Sequence, residues 1–342
     1  MDVPQIQFAT ASDGVRIAYW TLGTGDPLIY VGVPCFSHAQ LEVHLPLFMN
    51  WYGKLASRRR LIRIDLRGYG ASQREGCEIS AEGFQRDVLA VAGALGLPRF
   101  ALFTQGGAST VALELAANSD VVDRLVICDG WADGTNHPIH RRIAATESLA
   151  DLDWRMFSEL MAGFFMGVGD NRVKETAWFI RQCVDAGPWR AFLALMQRTD
   201  VSPLLPRVTC PTLLLHTGAS PLTGQGDPVR AVASSITGAR LVSLDAPQFP
   251  LGDTAAVYDL VDTFLGPAEI VGPMFDAGVL SPREREVLEL VTLGRTNREI
   301  AEHLVISSAT ADRHVHNILT KLGVANRTEA TGWAASHFQK KN

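Results

Sequence analysis

The sequence predicts an α/β fold, a doubly wound and mainly parallel sheet with a helical cap, followed by a small all-α domain. Short apolar runs recur between stretches of helical periodicity, as in parallel sheets whose strands are joined by crossover helices. A second group of short helical patterns follows a run rich in glycine and proline. The 342 residues leave room for one large and one small domain, at about 100 to 200 residues per domain.

Six apolar runs have the pattern of buried strands, because both of their faces are apolar. They are residues 27–33, 60–66, 99–103, 124–128, 212–216 and 240–244. Ligands of open parallel sheets bind beyond the carboxyl ends of the strands. The loops that follow the six runs are therefore expected to border one crevice.

Between residues 131 and 198 the alternation stops and helical periodicity continues, which predicts the cap. This segment holds 9 of the 27 aromatic residues and 4 of the 7 methionines of the chain. Such side chains either pack the cap onto the sheet or also line a pocket, since aromatic rings and thioethers offer adaptable apolar contact area. For the set as a whole, we favour the second interpretation.

Residues 266–278 (GPAEIVGPMFDAG) are typical of a linker, so the predicted domains span residues 1–265 and 279–342. The chain carries a net charge of −5, but in 279–342 nine Lys and Arg stand against seven Asp and Glu. This basic surplus is too small to indicate nucleic-acid binding without a motif.

The beginning of the chain (MDVPQIQFATASDGV) lacks the features of a signal peptide, and no run approaches the roughly 18 apolar residues of a membrane helix. We therefore expect a cytoplasmic protein that does not bind membranes. Five cysteines, odd in number and without a CxxC pair, indicate reduced thiols rather than disulfides or a zinc site. No cofactor and no metal are expected.

Three stretches of the first domain carry a family resemblance. The opening ASDGVRIAYWTLGTGDPLIYV has the form of a hairpin, residues 65–72 (DLRGYGAS) follow the pattern DxRGxGxS, and residues 211–220 read PTLLLHTGAS. Together they resemble the α/β-hydrolase family over roughly residues 5–265. The resemblance implies a nucleophile elbow with the pattern GxSxG, a histidine base and an acidic residue that orients the histidine.

All three triad positions depart from the pattern of this family. Residues 100–116 (FALFTQGGASTVALELA) place Gly106 at the nucleophile, and the residues after HTG place Ser220 where the acid belongs. Phe249 occupies the histidine position. Glycine has no attacking group, and a phenyl ring accepts no proton. The resemblance therefore predicts a hydrolase scaffold that is not an enzyme and whose vacated positions line a ligand pocket.

Two alternatives remain open for this domain. A one-residue deletion in the alignment would make Thr104 the nucleophile of a residually active serine/threonine-type hydrolase, with Asp227 as the acid if residues 222–226 were an insertion. The domain could instead sense a protein partner through an exposed apolar cap.

The predicted ligand is a small apolar or aromatic signal molecule. Its contacts are expected from the loop after the first buried run, from the elbow, from the cap and from the former triad positions. The predicted ligand-binding residues are Cys35, Phe36, His38, Thr104, Gln105, Gly106, Trp131, Trp154, Phe165, Ser220 and Phe249.

Residues 280–336 have the caps and apolar stripes of successive short helices. Thr296 and Glu299, for example, have the spacing of a capping box. The segment resembles the LuxR-type helix-turn-helix, which implies binding to double-stranded DNA with the third helix, at about residues 308–322, in the major groove. By this resemblance the DNA contacts are Thr296, Asn297, Thr310, Ala311, Asp312, Arg313, His314, Asn317 and Lys321. The alternative for this segment is a helical oligomerisation module.

Asp312 departs from the family, whose members commonly carry lysine there. A carboxylate repels phosphates but accepts a hydrogen bond from cytosine N4, so weaker non-specific binding or an altered sequence preference is expected. A last helix, at about residues 328–338, is the dimer contact in the family and implies a homodimer on twofold-related half-sites. The whole chain is thus predicted to be a ligand-responsive transcriptional regulator, with activation and repression both open.

Overall fold

The computed structural model describes residues 3–135, 137, 143, 146–166, 170–217, 227–244, 255–266, 282–292, 294–304, 306–322, 326–327 and 330. Residue contacts divide the chain into two compact units, residues 1–272 and 273–342, and each is described by itself. The domain limits at residues 265 and 279 remain predictions, because most of the predicted linker lies outside the described residues.

The described part of the first unit contains one sheet. Its strands are β1 (Gln7–Thr10), β2 (Arg16–Leu22), β3 (Pro27–Val31), β4 (Arg60–Ile64), β5 (Phe100–Gln105), β6 (Val122–Cys128), β7 (Thr212–Thr217) and β8 (Arg240–Leu244). They lie in the order β1-β2-β4-β3-β5-β6-β7-β8. β2 pairs antiparallel with β1 and β4, and all other neighbours pair parallel. The prediction of a mainly parallel sheet is confirmed.

Helices connect the strands and build the cap. In chain order they are α1 (Ala39–Glu42), α2 (Pro46–Ala56), α3 (Ala81–Ala94), α4 (Ala108–Asn118), α5 (Glu147–Leu152), α6 (Trp154–Met166), α7 (Val173–Cys183), α8 (Ala186–Met196), α9 (Asp227–Ser235) and α10 (Ala255–Leu265). Short 3₁₀ helices span Pro34–Phe36 and Ser202–Arg207.

Each face of the sheet has its own core, because successive residues of a strand point to opposite faces. Ile29 and Val31 of β3 belong to one cluster of buried side chains, whereas Leu28 and Tyr30 belong to another. Both faces of β3 are therefore buried, which explains why the strand reads as a continuous apolar run.

The helices α5 to α8 form a helical segment inside the predicted cap. Trp154 stacks on Phe157 with 5.5 Å between ring centroids, and Phe157 meets the edge of Trp189 at 4.5 Å. Offset and edge-on contacts of this kind stabilise aromatic clusters beyond the area that they bury. This part of the aromatic content therefore packs the cap internally.

The described part of the second unit contains α11 (Pro282–Thr292), α12 (Asn297–Leu304) and α13 (Ser308–Leu322). Thr296 N donates to Glu299 Oε2 at 2.7 Å and Glu299 N donates to Thr296 Oγ1 at 3.3 Å, so this pair forms the capping box that its spacing predicts. Leu288, Ile300 and Ile318 are buried together where the three helices meet.

Throughout the described residues, every helix is too short or too polar to cross a lipid bilayer.

Candidate functional site

The turn between β5 and α4 keeps the backbone of a nucleophile elbow at Gly106. Its φ of +53° lies in the left-handed region that L residues rarely adopt, and its N–H donates to Cys128 O at 3.1 Å. A Cβ built on Gly106 would lie 3.5 Å from Val33 and 3.8 Å from Trp131, which are ordinary contact distances. Space therefore permits a Cβ at this position, although any residue other than glycine would be strained at this φ.

The cap covers the elbow at the next residue. A Cβ on Gly107 would lie only 2.8 Å from Phe192 and 3.1 Å from Met196, both on α8. Glycine thus allows a close approach between α8 and the turn, and a larger residue would require the ends of the Phe192 and Met196 side chains to shift.

A cavity of about 630 Å³ lies beside the elbow and borders the loop after β3, α2, the end of α6 and α7. Its volume is typical of small-molecule sites. Most of its wall is apolar and consists of Val33, Phe36, Leu45, Leu47, Phe48, Phe165, Met166, Trp178 and Phe179. The inner end of the cavity is formed by buried polar residues, which are Tyr30, Glu42, Tyr52, Arg63 and Gln105. Its mouth is surrounded by exposed charged residues, which are Arg172, Lys174 and Glu175.

An ion pair is buried at the inner end of the cavity. Arg63 Nη2 lies 2.6 Å from Glu42 Oε1 and Arg63 Nε lies 2.8 Å from Glu42 Oε2, with both residues fully buried. Burial opposes the charge of Arg63, but Glu42, Tyr52 and Asp65 hold the pKa of its guanidinium well above the usual value. The guanidinium therefore stays charged inside the fold.

The remaining N–H groups of Arg63 are also engaged. Nη2 donates to Ser37 Oγ at 2.9 Å, and Nη1 donates to Ile64 O and lies 3.4 Å from Asp65 Oδ1. A guanidinium has five N–H donors; four of those of Arg63 donate to protein atoms, and Nη1 also forms the ion pair with Asp65.

Two tyrosines complete the inner end. Tyr30 Oη donates to Gln105 Oε1 at 2.7 Å, and Tyr52 Oη donates to Glu42 Oε2 at 2.5 Å. Burial raises the pKa of both phenols, so each keeps its proton and remains uncharged at neutral pH.

The cavity contains part of the predicted ligand site. Phe36, Gln105 and Phe165 line it. Trp131 instead borders a second cavity of about 420 Å³, and Trp154 belongs to the aromatic cluster inside the cap. Ser220 and Phe249 lie outside the described residues.

The other predicted ligand residues lie near the cavity but do not line it. Thr104 and Gly106 are buried at the end of β5 and in the elbow. Cys35 packs into the core, and burial raises the pKa of its thiol to about 12. His38 precedes α1, and burial lowers the pKa of its imidazole.

Sequence reasoning missed Tyr30, Glu42, Tyr52 and Arg63. One signal was present, since RLIRIDL places the charged Arg63 in the middle of a run that was read as a buried strand. A charge at such a position needs a partner. Local patterns could not identify Glu42 as this partner, because its position beside Arg63 depends on the path of the chain through α1.

Sequence reasoning also missed a carboxylate–histidine pair at the ends of β6 and β7. His216 Nδ1 lies 3.2 Å from Asp129 Oδ1, and the same carboxylate accepts from Thr217 N at 2.8 Å and from Thr217 Oγ1. Asp129 has a φ of +49°, a strained value for a residue with a side chain. These hydrogen bonds hold the carboxylate in place.

The second unit exposes four of the nine residues predicted to contact DNA, namely Thr296, Asp312, Arg313 and Asn317. Arg313 and Asn317 lie one turn apart on the exposed face of α13, and Thr310 is half-buried and hydrogen-bonded to Ser307 at 2.8 Å. His314 is half-buried. The backbone of Lys321 belongs to α13, whereas its side chain is outside the described part.

Ala311 requires a correction. It was predicted to face the DNA groove, but it is fully buried in the core between the helices. The reason is helical spacing, because Ala311 shares one face of α13 with the buried Val315 and Ile318. Ala311 is therefore not available for a base contact at the start of α13.

Asn297 links α12 to α13 and to the segment after α13. Its Nδ2 donates to Asp312 Oδ1 at 2.8 Å, and its Oδ1 accepts from Arg327 Nη1 at 2.9 Å. Arg327 also donates to Arg295 O. Asp312 is thus exposed on α13 but held by a side chain of the preceding helix.

Comparison with known proteins identifies the second unit. The model of the family "Bacterial regulatory proteins, luxR family" matches residues 278–334. The spore germination protein GerE of Bacillus subtilis (strain 168) is 46% identical over 52 residues, which are 15% of this chain and 70% of that protein. The chain belongs to the luxR family of bacterial regulatory proteins. As a luxR-family member, it carries the DNA-binding helix-turn-helix that the resemblance of residues 280–336 implied.

Longer relatives share only this part of the luxR-family chain. The CsgBAC operon transcriptional regulatory protein of Escherichia coli (strain K12) is 37% identical over 65 residues, or 19% of this chain. The chain spans only 30% of the length of that relative.

The first unit of this luxR-family protein has the α/β-hydrolase fold. It is similar to a hydrolase from Pseudomonas aeruginosa PA01 with a TM-score of 0.65 and 22% identity, over 77% of this chain and 98% of that one. The enol-lactonase from Burkholderia xenovorans LB400 gives a TM-score of 0.60 and 20% identity, over 76% and 99%. The resemblance drawn from the DxRGxGxS turn is confirmed at the level of the fold.

Proposed function

We propose that this protein is a ligand-responsive transcriptional regulator. Its α/β-hydrolase-like domain binds a small, largely apolar molecule without catalysing a reaction, and the bound molecule controls DNA binding by the helix-turn-helix domain. One observation carries the proposal: a cavity of about 630 Å³ with a polar inner end lies beside an elbow that has Gly106 at the nucleophile position. Coupling of this kind amounts to about 1 to 3 kcal/mol in typical regulators.

The alternative hydrolase function would require Thr104, and its position argues against that role. Thr104 lies within β5 rather than on the turn and is 1% exposed. Parallel neighbours pair with it on both sides, at Val31 of β3 and Ile127 of β6. Because its side chain is buried on a face of the sheet, a substrate carbonyl would reach its hydroxyl only if the elements packed over that face moved.

A fluorophosphonate probe tests the absence of catalysis. We expect the intact mass of the protein to remain unchanged after incubation, because such probes react with activated hydroxyl nucleophiles. An active serine esterase treated in parallel shows that the probe is reactive. A stoichiometric adduct on Thr104 would overturn the non-catalytic proposal.

A protein partner is the other alternative for the first unit. The cap exposes Leu152 and Met156, at 83% and 56% of their surface, yet the concave cavity is the better receptor for a small molecule. Native mass spectrometry of freshly purified protein decides between them. We expect a retained mass of small-molecule size that disappears on denaturation, and a retained polypeptide would favour the protein partner.

Double-stranded DNA and a second copy of the chain are the proposed partners of the helix-turn-helix. Arg313 is an exposed cation on α13 and is suited to a phosphate contact. Arg313→Ala is expected to weaken binding at all sequences and to reduce the slope of log affinity against log salt by about 1. Titrations of labelled duplex between about 50 and 200 mM salt measure this slope, and an unchanged slope would remove Arg313 from the interface.

A further inference from the structure

We infer that the side-chain amide of Gln105 donates a hydrogen bond to the ligand of the cavity, so that the ligand is an apolar molecule with an acceptor such as a carbonyl oxygen. This inference rests on the proposed function and narrows its ligand class. It follows from which polar groups of the inner end reach the cavity and from how their protons are used.

Most polar residues of the inner end lie beneath the surface that a ligand would meet. Four of the five are at most 1% exposed, namely Tyr30, Glu42, Tyr52 and Arg63. Gln105 is 5% exposed, which is close to the 8% of Phe165 in the apolar wall. Of these five residues, Gln105 is therefore the one that offers polar surface to a ligand.

The amide of Gln105 is held in one orientation by Tyr30. The Tyr30 hydroxyl donates its single proton to Gln105 Oε1 at 2.7 Å, and the indole of Trp51 donates to the oxygen of the same hydroxyl. If the amide were turned round, the Tyr30 proton would meet an N–H group instead of an acceptor. The amide oxygen therefore faces Tyr30, and the amide nitrogen points away from the phenol.

The amide nitrogen of Gln105 carries two N–H groups. It can therefore bond to a group of the protein and still donate to a ligand. A ligand oxygen with a lone pair satisfies this donor, whereas a ligand N–H at the same place would oppose it and leave buried donors unsatisfied, which is costly. The inner end thus favours a ligand with an acceptor.

The aromatic wall of the cavity binds the rest of the ligand. Phe36 meets the edge of Phe165 at 4.5 Å between ring centroids, and Phe48 lies 5.9 Å from Phe179. These rings are positioned by one another and offer apolar surface to a ligand. The class that fits is an apolar, ring-containing molecule with one acceptor near Gln105.

Three ligands with the same pair of phenyl rings test the inference. Benzophenone joins the rings through a carbonyl acceptor, diphenylamine through an N–H donor, and diphenylmethane through a CH₂ group that is neither. Equilibrium dialysis with the full-length protein measures their affinities. We expect the wild type to bind benzophenone about threefold to tenfold more tightly than diphenylamine, because only the carbonyl accepts from Gln105.

Gln105→Met keeps the length of the side chain and removes both N–H groups. We expect it to weaken binding of benzophenone about threefold to tenfold and to leave binding of diphenylmethane nearly unchanged. Because both ligands are measured on the same variant, any effect of the substitution on packing or folding applies to both. An equal loss for the two ligands would overturn the inference.

Tyr30→Phe tests whether Tyr30 positions the amide. Without the phenolic proton, Gln105 can turn its oxygen towards the ligand and accept from diphenylamine, so we expect the preference for benzophenone over diphenylamine to fall to about twofold or less. Tyr19→Phe is the matched control, because Tyr19 also donates to a glutamine, Gln7, at 3.2 Å but lies in the hairpin. It should keep the wild-type preference, and an unchanged preference in Tyr30→Phe would overturn the orientation on which the inference depends.

The outcomes separate the inference from the proposed function. Binding of diphenylamine by the wild type as tightly as benzophenone, or more tightly, would overturn the ligand class and leave the cavity as a binding site. Absence of binding by all three ligands would count against the cavity as a receptor and thus against the proposed function.

Discussion

At the scale of single residues, Gly106 combines a left-handed φ of +53° with room for a Cβ at 3.5 Å from Val33. In α/β hydrolases the elbow imposes this conformation on a serine despite the strain. Gly106 adopts the same backbone conformation without a side chain. The conformation is a property of the β5-turn-α4 connection and does not depend on the nucleophile.

Gly106→Ser is expected to fold and to remain inactive. A side chain at this φ costs about 1 to 2 kcal/mol of unfolding free energy. With Phe249 at the predicted histidine position, we expect no contribution from proton transfer by a base, which amounts to about 10² to 10⁴-fold where a base is present. Gly106→Ala is the matched control with the same strain and no hydroxyl. Denaturant unfolding and p-nitrophenyl butyrate hydrolysis measure the two effects. Ester turnover by Gly106→Ser above that of Gly106→Ala would reveal a base in the domain.

A second prediction at the scale of single residues concerns the effect of Asp312 on DNA binding. Asp312 is exposed and accepts a hydrogen bond from Asn297 at 2.8 Å. Asp312→Asn removes the negative charge and can keep that bond, so we expect tighter binding to duplexes of any sequence at low salt. Asp312→Lys should steepen the salt dependence by about 0.9 for one added phosphate contact. Fluorescence anisotropy with several duplexes measures both. Loss of affinity for one sequence in Asp312→Asn would instead indicate that the carboxylate reads a cytosine.

At the scale of elements, strands were predicted better than the loops and faces that form the site. β3 and β4 end at Val31 and Ile64, two residues before the ends of the predicted runs, because periodicity does not show where strand pairing stops. The cap was predicted from its aromatic residues, but composition could not assign Trp154 to the cap core and Phe165 to the cavity. Helical spacing would have placed Ala311 inside, since it shares a face with Val315.

The loop between β3 and α2 gives a pH-dependent prediction through His38. Burial lowers the pKa of His38 below its usual 6.5, so the unfolded chain takes up this proton first as the pH falls. The contribution of His38 to stability is present above about pH 6.5 and decreases below it. We expect His38→Gln to show a smaller loss of unfolding free energy than wild type between about pH 7 and 5.

Urea unfolding at several pH values measures this difference. His44→Gln, at an exposed histidine of the same loop, is the matched control and should keep the wild-type profile. An unchanged profile in His38→Gln would show that other groups set the acid sensitivity of the protein.

At the scale of the whole molecule, arginines on or next to the sheet bind the last described helix of the first unit, α10. Arg59, directly before β4, lies 2.6 Å from Asp262 and donates to Gly266 O at 2.9 Å. Arg124 of β6 donates to Phe264 O at 3.0 Å. These bonds hold the end of α10, after which the chain continues towards its second unit.

Two neighbouring arginines test this attachment, because both pair with Asp262 at 2.6 Å but differ in exposure. The side chain of Arg59 is 3% exposed and that of Arg58 is 49% exposed. Removing one partner of a buried pair costs about 3 kcal/mol or more, whereas an exposed pair contributes about 1 kcal/mol or less. Unfolding free energies of Arg59→Ala and Arg58→Ala should therefore differ by about 2 kcal/mol or more. Equal losses would show that Arg59 is not the stronger attachment.

Strand β4 connects the cavity to the attachment of α10. Its residue Arg63 forms the floor of the cavity, and four positions earlier Arg59 holds the end of α10. At about 3.3 Å per residue, some 13 Å of extended backbone join the two guanidinium-bearing positions. A displacement of Arg63 would therefore act on a strand whose other end is bonded to the last described helix of the first unit.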